Sequence, residues 1–227
     1  MTHEEVAARR EIVHYSHKLH AAGLVCATDG NLSVRLDRDR VLITPSGIRK
    51  EEMHLQAPIL VNMDGEPLSD PRRPSTEYKI HMEAYRQRPD VRAVIHAHPP
   101  RAIAVTLTDT PLDTCLLPEV VVTLGSIPVA PYAAPSTEAL PDSIRDLVTR
   151  TDVIMLARHG SVTLGETLGE AFGKLERLEK SAEILIYAHS LGGPRSFSRT
   201  QLEELRGLRE FYGVTTRTMP CDQEGTE

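Results

Sequence analysis

The sequence predicts an α/β protein: a single α/β/α domain in which helices cover a central, largely antiparallel sheet. The chain has 227 residues, 40% of them hydrophobic, so it is long enough to build one substantial core. No low-complexity linker or internal repeat divides the sequence. Helical patterns are mixed with paired short strands, which disfavours a doubly wound parallel sheet. We expect one domain over residues 1–227, with a flexible C-terminal tail from about residue 214.

The first half of the chain predicts a helix, three short strands, a second helix and a further strand. Gly23 closes the first helical pattern, and Pro89 stops the second. Ser75 and Thr76 are candidates to cap the start of the second helix. The expected elements are a helix over 2–22, strands over 31–36, 41–44 and 59–61, a helix over 77–88 and a strand that ends near residue 98.

The second half predicts strands and helices that end in one long helix. Gly192, Gly193 and Pro194 terminate that helix, and its many charges are expected to form a solvated face. Its expected core residues are Ala171, Leu175, Leu178, Ala182 and Leu185. The expected elements are strands over 113–122 and 127–130, a helix over 138–150, a strand over 153–157 and a helix over 167–191.

Composition and charge argue against several classes of partner. The net charge is −6 and there is no cluster of lysine and arginine, so we expect no nucleic acid partner. No apolar run approaches the length that spans a bilayer, so we expect no membrane partner. The N-terminal residues lack a basic region followed by an apolar core, so we expect no secretory signal and a cytoplasmic location.

The cysteines predict reduced thiols. Cys26, Cys115 and Cys221 are odd in number and widely spaced, which is unlike a disulfide framework. None of them has the C-x-x-C spacing of a zinc knuckle. Reduced thiols agree with the expected cytoplasmic location.

A His-x-His pair is the strongest chemical signal in the chain. His96 and His98 lie at the end of an apolar run that predicts a strand, so both imidazoles point to the same face. His159 follows a second apolar run, and Glu77 lies upstream at the start of a predicted helix. Three imidazoles and one carboxylate are a typical donor set for zinc.

The alternative is that these histidines are surface or core residues, because the chain contains ten of them. A His-x-His pair alone does not make a tetrahedral set, and the addition of His159 favours the metal site. We assign no role to the remaining histidines, which we interpret as surface or structural residues: His3, His14, His17, His20, His54, His81 and His189.

Short polar residues and glycines lie where the chain turns, in segments 28–31, 44–47 and 75–76. Hydroxyls, an amide and backbone N–H groups at turns can surround a phosphate without lysine or arginine. Ordinary turn chemistry is the alternative for each segment taken singly. Because the third segment immediately precedes Glu77, we expect an anion pocket beside the metal.

These motifs resemble the class II sugar-phosphate aldolases of the aldolase/adducin family, and within it the fuculose-phosphate aldolase branch. The resemblance covers nearly the whole chain. The segments that carry it are 28–35, 43–48, 74–77, 88–98, 126–133, 158–160 and 211–213. Many ordered motifs of this kind make the resemblance specific.

The resemblance implies one zinc ion per subunit, held by His96, His98, His159 and Glu77, with Glu77 also acting as the catalytic base. Other divalent metals suit the same ligands. It implies a homotetramer with active sites at subunit interfaces. The phosphate pocket implied by the resemblance consists of Thr28, Asn31, Ser46, Gly47, Ser75 and Thr76.

The implied reaction is the reversible cleavage of a ketose 1-phosphate into dihydroxyacetone phosphate and a small aldehyde. Fuculose 1-phosphate and a deoxypentulose 1-phosphate are the candidate substrates. The chemistry needs an enediolate, which a Lewis-acidic metal stabilises while the phosphate grip fixes the reacting carbon near the base.

Two positions depart from or extend the family pattern. Leu117 stands where the resembled branch has a tyrosine acid, and Glu119 is the nearest proton donor. An ordinary surface glutamate is the alternative interpretation of Glu119. Tyr212 matches the family's C-terminal tyrosine, which implies a role at the aldehyde end of the site.

Other activities of the same family stay open. A methylthioribulose-1-phosphate dehydratase and a sugar-acid-phosphate decarboxylase are the enzyme alternatives, and Glu119 keeps the dehydratase under consideration. A pentulose-phosphate 4-epimerase is disfavoured, because that branch has aspartate where this chain has Glu77. A non-enzymatic, adducin-like binding protein would not need the four metal-ligand residues, so their presence together argues for an enzyme.

Overall fold

The computed structural model of the chain describes residues 1–69, 71–112 and 115–221. Its strands are β1 (Asn31–Arg35), β2 (Val41–Ile43), β3 (Ile59–Val61), β4 (Ala93–Ala97), β5 (Val129–Ala130), β6 (Val153–Leu156) and β7 (Gly160–Gly165). They form one sheet in the order β3-β2-β1-β4-β7-β6-β5. Every neighbouring pair is antiparallel except β5 and β6. The predicted fold class is confirmed.

Helices pack against the sheet over two separate apolar clusters. One cluster includes residues of the helices over 3–21, 100–105 and 168–190, and the other includes residues of the helices over 78–87 and 139–148. The helices are α1 (His3–Ala21), α2 (Tyr78–Gln87), α3 (Pro100–Val105), α4 (Pro118–Thr123), α5 (Ala139–Val148), α6 (Leu168–Ser190) and α7 (Arg199–Phe211), with a 3₁₀ turn over Lys50–Glu52.

Local signals explain where the two longest helices begin. The Thr2 hydroxyl accepts a hydrogen bond from the Glu5 amide at the start of α1, and Thr167 does the same for the Glu170 amide at the start of α6. All five apolar residues predicted to face the core from the long helix are buried. The opening helix, the second helix and the helix over 138–150 are confirmed with slightly shorter bounds.

The strand predicted over 113–122 is wrong where the structure describes it. Residues 118–123 form α4, with Pro118 in its first turn, while residues 113 and 114 lie outside the described residues. The consecutive valines after Glu119 suggested a strand because β-branched residues favour strands. Packing overrides this preference: Val120 joins the core cluster against the sheet, and Val121 packs with Leu202 of α7. The prediction also missed α3, α7 and β7.

The prediction of reduced thiols is wrong for two cysteines. Cys115 and Cys221 form a disulfide although 106 residues separate them, and Cys26 is free and exposed. The pairing depends on a tertiary contact, because residues near the C-terminus run back past α4 and the Ser126 amide donates to the Met219 carbonyl. Spacing in the sequence carries no information about such a contact. The cysteines therefore give no support to the expected cytoplasmic location.

The C-terminal segment is hydrogen-bonded to the domain as far as it is described. The Asp152 amide donates to the Arg217 carbonyl over 2.9 Å, and the Arg217 amide donates to Asp152 Oδ2 over 3.1 Å. Residues 222–227 of the predicted tail lie outside the described residues. None of the helices in the described ranges has the length and apolar content needed to cross a membrane.

A buried charge cluster joins this segment to the sheet. Asp152 pairs with Arg88 over 2.9 Å and with Lys174 over 2.9 Å, and all three residues are less than a tenth exposed. Removing one partner of a buried ion pair leaves an uncompensated charge in the interior, which costs more than the pair itself contributes.

We expect Asp152→Ala to lower the free energy of unfolding by about 3–5 kcal/mol, because Lys174 loses its carboxylate partner and Arg88 loses the buried one of its two, Asp152 and Asp90. Urea denaturation of the two proteins measures the loss. Asp146→Ala, at an exposed position on α5, is the matched control. A loss below about 1 kcal/mol for Asp152→Ala would show that the cluster does not stabilise the fold.

Candidate metal centre and phosphate pocket

Four side chains meet at one end of the two central strands. His96 lies in β4, His98 directly follows it, His159 precedes β7, and Glu77 is the residue before α2. One ligand atom from each of the four residues lies within 4.8 Å of the others. The structure therefore brings together all four residues that the sequence predicted as metal ligands.

A tight turn between β6 and β7 places His159. The His159 amide donates to the Leu156 carbonyl over 3.1 Å, and Arg158 has φ of 61°, in the left-handed region. Gly160 then lets β7 approach β4 closely, because a Cβ atom there would lie 2.5 Å from the Ala97 carbonyl oxygen. The small residue after His159 is thus needed for the two strands to meet at the site.

The geometry fits a divalent metal. His96 Nδ1 lies 3.0 Å from the Ser161 carbonyl, so it carries the hydrogen and leaves the Nε2 lone pair free for a metal. His96 Nε2 lies 3.1 Å from His98 Nε2 and 3.2 Å from Glu77 Oε2, while His159 Nε2 lies 3.2 Å from Glu77 Oε1. Tetrahedral ligands at about 2.0–2.1 Å from zinc would be about 3.3 Å apart. Lone pairs that face one another at these distances need a cation between them.

The protonation states of these groups suit metal binding. Burial alone would raise the pKa of Glu77, but the interactions of its carboxylate with His159 and His96 outweigh burial and hold the pKa well below its ordinary range. Burial, together with the neighbouring His96 and His159, lowers the pKa of His98 to about 3. The site therefore offers an ionised carboxylate and a neutral imidazole at pH 7, as metal ligation requires. Asp29 Oδ2 lies 3.7 Å from His98 Nδ1, on the side away from the cluster.

The polar turns predicted to bind phosphate lie against the same carboxylate. The Ser75 amide donates to the Thr44 carbonyl over 3.1 Å, which joins two of the turns. Asn31 Nδ2 donates to Glu77 Oε2 over 3.2 Å, which joins the third turn to the cluster of three histidines and Glu77. Asn31 and Ser75 are buried, whereas the other residues of the predicted pocket are exposed: Thr28, Ser46, Gly47 and Thr76.

Sequence reasoning missed Lys50, which is 1% exposed and lies between two of these turns. Its ammonium group donates to the Thr28 carbonyl over 3.1 Å and to the Ile48 carbonyl over 3.2 Å. Burial lowers the pKa of Lys50 to about 8. Nothing in the sequence singles this residue out, because it lies in a run of charged residues, and such a run ordinarily predicts a solvent-exposed surface.

Sequence reasoning also left His81 without a role. The residue is fully buried on α2, and its Nε2 makes a short hydrogen bond to Asn31 Oδ1. His81 follows Glu77 by four positions, and residues four apart share one face of a helix. That spacing is the signal that could have connected it with the site.

Three further residues considered in the sequence lie as follows. Glu119 is exposed in the first turn of α4, and Leu117 is partly buried against the core. Tyr212 is 63% exposed at the end of α7, where its ring lies 5.0 Å from that of Phe211. Within the described part of the chain, neither Glu119 nor Tyr212 makes a hydrogen bond or ion pair with the metal cluster.

Comparison with known proteins identifies the family of the chain. The family described as the class II aldolase and adducin N-terminal domain matches residues 10–186. The chain belongs to this family. The family includes aldolases, and together with the His/Glu cluster the membership makes the chain an enzyme of the lyase class.

Three members of the class II aldolase and adducin family illustrate the similarity. The chain is 30% identical over 207 residues to 5-deoxy-D-ribulose 1-phosphate aldolase of Bacillus thuringiensis, covering 90% of this chain and 96% of the relative. It is 32% identical over 186 residues to 3-oxo-tetronate 4-phosphate decarboxylase of Pectobacterium atrosepticum, covering 80% and 84%. A solved L-fuculose 1-phosphate aldolase superimposes with a TM-score of 0.81 at 29% identity, covering 91% of this chain and 96% of that one.

Proposed function

We propose that this enzyme is a metal-dependent aldolase that reversibly cleaves a ketose 1-phosphate into dihydroxyacetone phosphate and a small aldehyde. The observation that carries the proposal is the position of Glu77. The Glu77 carboxylate contacts His96 and His159 on one side. On the other side it contacts Asn31, which lies in one of the turns predicted to bind phosphate. A base in that position would lie beside the substrate carbonyl and next to C3, the carbon on the opposite side of that carbonyl from the phosphate.

The four ligands His96, His98, His159 and Glu77 would hold one zinc ion per subunit. A bound zinc ion would supply Lewis-acid polarisation of the substrate carbonyl, and cobalt, manganese or iron would suit the same donors. The chain's own part is to orient the ligands: Ser161 fixes the ring of His96, and the β6–β7 turn fixes His159.

Glu77 moves the proton in the proposed reaction. In cleavage, the bond between C3 and C4 of the ketose breaks, and its electron pair is delocalised from C3 onto the C2 carbonyl oxygen. The C4 hydroxyl passes its proton to Glu119 as C4 becomes the aldehyde carbonyl, and Glu119 releases that proton to water. Glu77, which is ionised at rest, takes up a proton from water and gives it to C3, which yields dihydroxyacetone phosphate. The aldol direction reverses these steps.

The phosphate would be held by the polar turns. Donors from Asn31, Ser75 and the exposed turn residues would surround the anion, as side-chain and backbone groups do in other phosphate sites. Lys50 adds a positive charge beside the turns, because its ammonium group contacts the carbonyl of Thr28 in one turn and that of Ile48, the residue after another. The grip would fix the reacting carbon beside Glu77.

Glu119 is proposed to exchange a proton with the aldehyde oxygen, in place of the tyrosine acid that the family pattern would have at Leu117. We expect Glu119→Gln to lower the cleavage rate by about a hundredfold, the lower end of the range for general acid–base groups. Dihydroxyacetone phosphate release measures the rate. Glu176→Gln, an exposed glutamate on α6, is the matched control. An unchanged rate in Glu119→Gln would remove the acid role.

The proposal also includes a role for Tyr212, a homotetrameric assembly and a cytoplasmic location. Tyr212 is proposed to contact the aldehyde end of the substrate. The exposed Ile186, Tyr187 and Leu191 on and after α6 offer apolar surface that a homotetramer could bury. We propose a cytoplasmic tetramer, and the mass in solution, four times that of one chain, tests the assembly.

A second activity has a specific observation in its favour, the 32% identity to a 3-oxo-tetronate 4-phosphate decarboxylase. Loss of carbon dioxide from a 3-oxo acid of that kind leaves the enediolate of dihydroxyacetone phosphate. Protonation then gives the same three-carbon product as aldol cleavage. The two activities therefore share the metal, the phosphate grip and Glu77, and they differ in the second product.

The second product decides between the two activities. The purified, metal-loaded enzyme would be supplied with 5-deoxy-D-ribulose 1-phosphate, L-fuculose 1-phosphate and 3-oxo-tetronate 4-phosphate in separate reactions. We expect aldehyde release from one of the ketose phosphates with a kcat/KM at least about tenfold above that for carbon dioxide release. Faster release of carbon dioxide than of either aldehyde would replace the aldolase with the decarboxylase.

A further inference from the structure

A chain of buried hydrogen bonds runs from the proposed catalytic base into the core. Asn31 Nδ2 donates to Glu77 Oε2 over 3.2 Å, and Asn31 Oδ1 faces His81 Nε2. His81 Nδ1 lies 2.6 Å from Ser33 Oγ, which lies 2.7 Å from the hydroxyl of Tyr85. His81 and Ser33 are fully buried and Tyr85 is 2% exposed. Polar groups linked in this way inside a protein behave as one unit.

The groups at the Glu77 end determine which atom donates in each hydrogen bond of this series. An ionised carboxylate only accepts hydrogen bonds, so Asn31 must present its amide nitrogen to Glu77 and its carbonyl oxygen to His81. A carbonyl oxygen needs a donor, which places a hydrogen on His81 Nε2. Burial lowers the pKa of His81 to about 3, with a smaller contribution from His96, so the ring carries only that one hydrogen at pH 7.

The donor and acceptor in the remaining two hydrogen bonds follow from the single hydrogen on the His81 ring. His81 Nδ1 accepts from the Ser33 hydroxyl, and Ser33 in turn accepts from Tyr85. The Tyr85 hydroxyl is 3.4 Å from the Arg92 carbonyl, much farther than from Ser33, so its single hydrogen goes to Ser33. The donors of Tyr85, Ser33, His81 and Asn31 all point toward the carboxylate.

We propose that His81 is a positioning residue whose Nε2 hydrogen locks the Asn31 amide with its nitrogen, not its oxygen, toward Glu77 and the substrate. The amide nitrogen has two hydrogens, of which Glu77 takes one, so the second is available to a substrate oxyanion. A reversed amide would place a carbonyl oxygen against the carboxylate and the oxyanion together. The part of the inference that concerns the substrate rests on the proposed function.

The hydrogen on His81 can be observed directly, without turnover. In wild-type protein with ¹⁵N-labelled histidine and bound zinc, we expect Nε2 of His81 to be protonated and Nδ1 unprotonated across roughly pH 6 to 8. His81→Gln, which lacks these signals, assigns them. A hydrogen on Nδ1, either alone or with one on Nε2, would overturn the proposal, because the chain would then point away from Glu77.

Two substitutions at His81 separate positioning from packing. His81→Gln keeps an N–H group close to Asn31 Oδ1, whereas His81→Leu fills similar space without a donor. We expect His81→Leu to lower kcat for deuterium exchange into dihydroxyacetone phosphate by about tenfold to a hundredfold at unchanged metal content, and His81→Gln to recover most of it. Equal kcat values for the two folded variants would overturn the proposal.

A milder variant covers the case in which His81→Leu does not fold. Ser33→Ala removes the partner of His81 Nδ1 and leaves the other residues in place. We expect its ¹⁵N spectrum to show a mixture of the two neutral forms of His81, with a matching partial loss of kcat; such a mixture with wild-type kcat would contradict the proposal. Absence of exchange in the wild-type enzyme would reject the proposed function, while the ¹⁵N result would still decide the orientation of Asn31.

Discussion

Replacing Glu77 with glutamine is expected to slow proton exchange at dihydroxyacetone phosphate by about a hundredfold to ten-thousandfold, the range for loss of a general base. Glutamine has the size of glutamate and can still accept the hydrogen bond from Asn31 Nδ2, but it does not take up a proton at pH 7. The fold should therefore survive while the proton transfer fails. Mass-spectrometric rates of deuterium uptake measure the loss.

Metal content must be measured alongside, because Glu77 is also one of the four candidate ligands. Rates would be compared per bound metal in Glu77→Gln, in the wild type and in Glu11→Gln, an exposed glutamate on α1. Exchange at the wild-type rate by metal-loaded Glu77→Gln would show that another group is the base.

The low pKa of Glu77 predicts how activity depends on pH as far as this group is concerned. Glu77 stays ionised well below neutral pH, so its contribution to activity should be retained there.

Replacing His159 with alanine is expected to weaken metal binding by more than about a hundredfold and to abolish activity with it. His159 is the most suitable of the three histidines for this test, because it lies in a turn between strands. His96 is fully buried in β4, so His96→Ala should also lose metal and activity but would leave a cavity in the core. Metal per chain after dialysis, determined by elemental analysis, measures the change.

His189→Ala is the control for His159→Ala, because His189 is an exposed histidine near the end of α6. It should keep both metal and activity. Wild-type turnover by metal-free His159→Ala would reject the assignment of the site. Stoichiometric metal binding by His159→Ala would show that the other three ligands suffice and that His159 has a different role.

The clustering of the four candidate metal ligands could be predicted because their signals are local. The period of a strand alone places His96 and His98 on one face, and short apolar runs followed by a turn identify β6 and therefore His159. Glu77 was predictable only in combination with the motif before it. The structure adds the distances and the second hydrogen-bond partner of each ring, which no pattern contains.

Tertiary contacts explain what the sequence could not show. Val120 and Val121 favour a strand by their own preference, yet they lie in α4 because two different clusters bury them. The Cys115–Cys221 pair depends on where the C-terminal segment returns. Lys50 is a charged residue in a charged run, and only the folded chain shows that it is buried against the Thr28 carbonyl, in one of the turns proposed to bind phosphate.

The most direct test of the central claim is deuterium uptake from heavy water into dihydroxyacetone phosphate, followed by mass spectrometry with and without a chelator. It tests proton abstraction beside the carbonyl before any aldehyde is chosen. We predict uptake of one deuterium per molecule by the metal-loaded enzyme, loss of uptake with the chelator and recovery when zinc is restored. No uptake by a protein shown to hold one metal per chain would contradict the proposed enolisation and with it the aldolase.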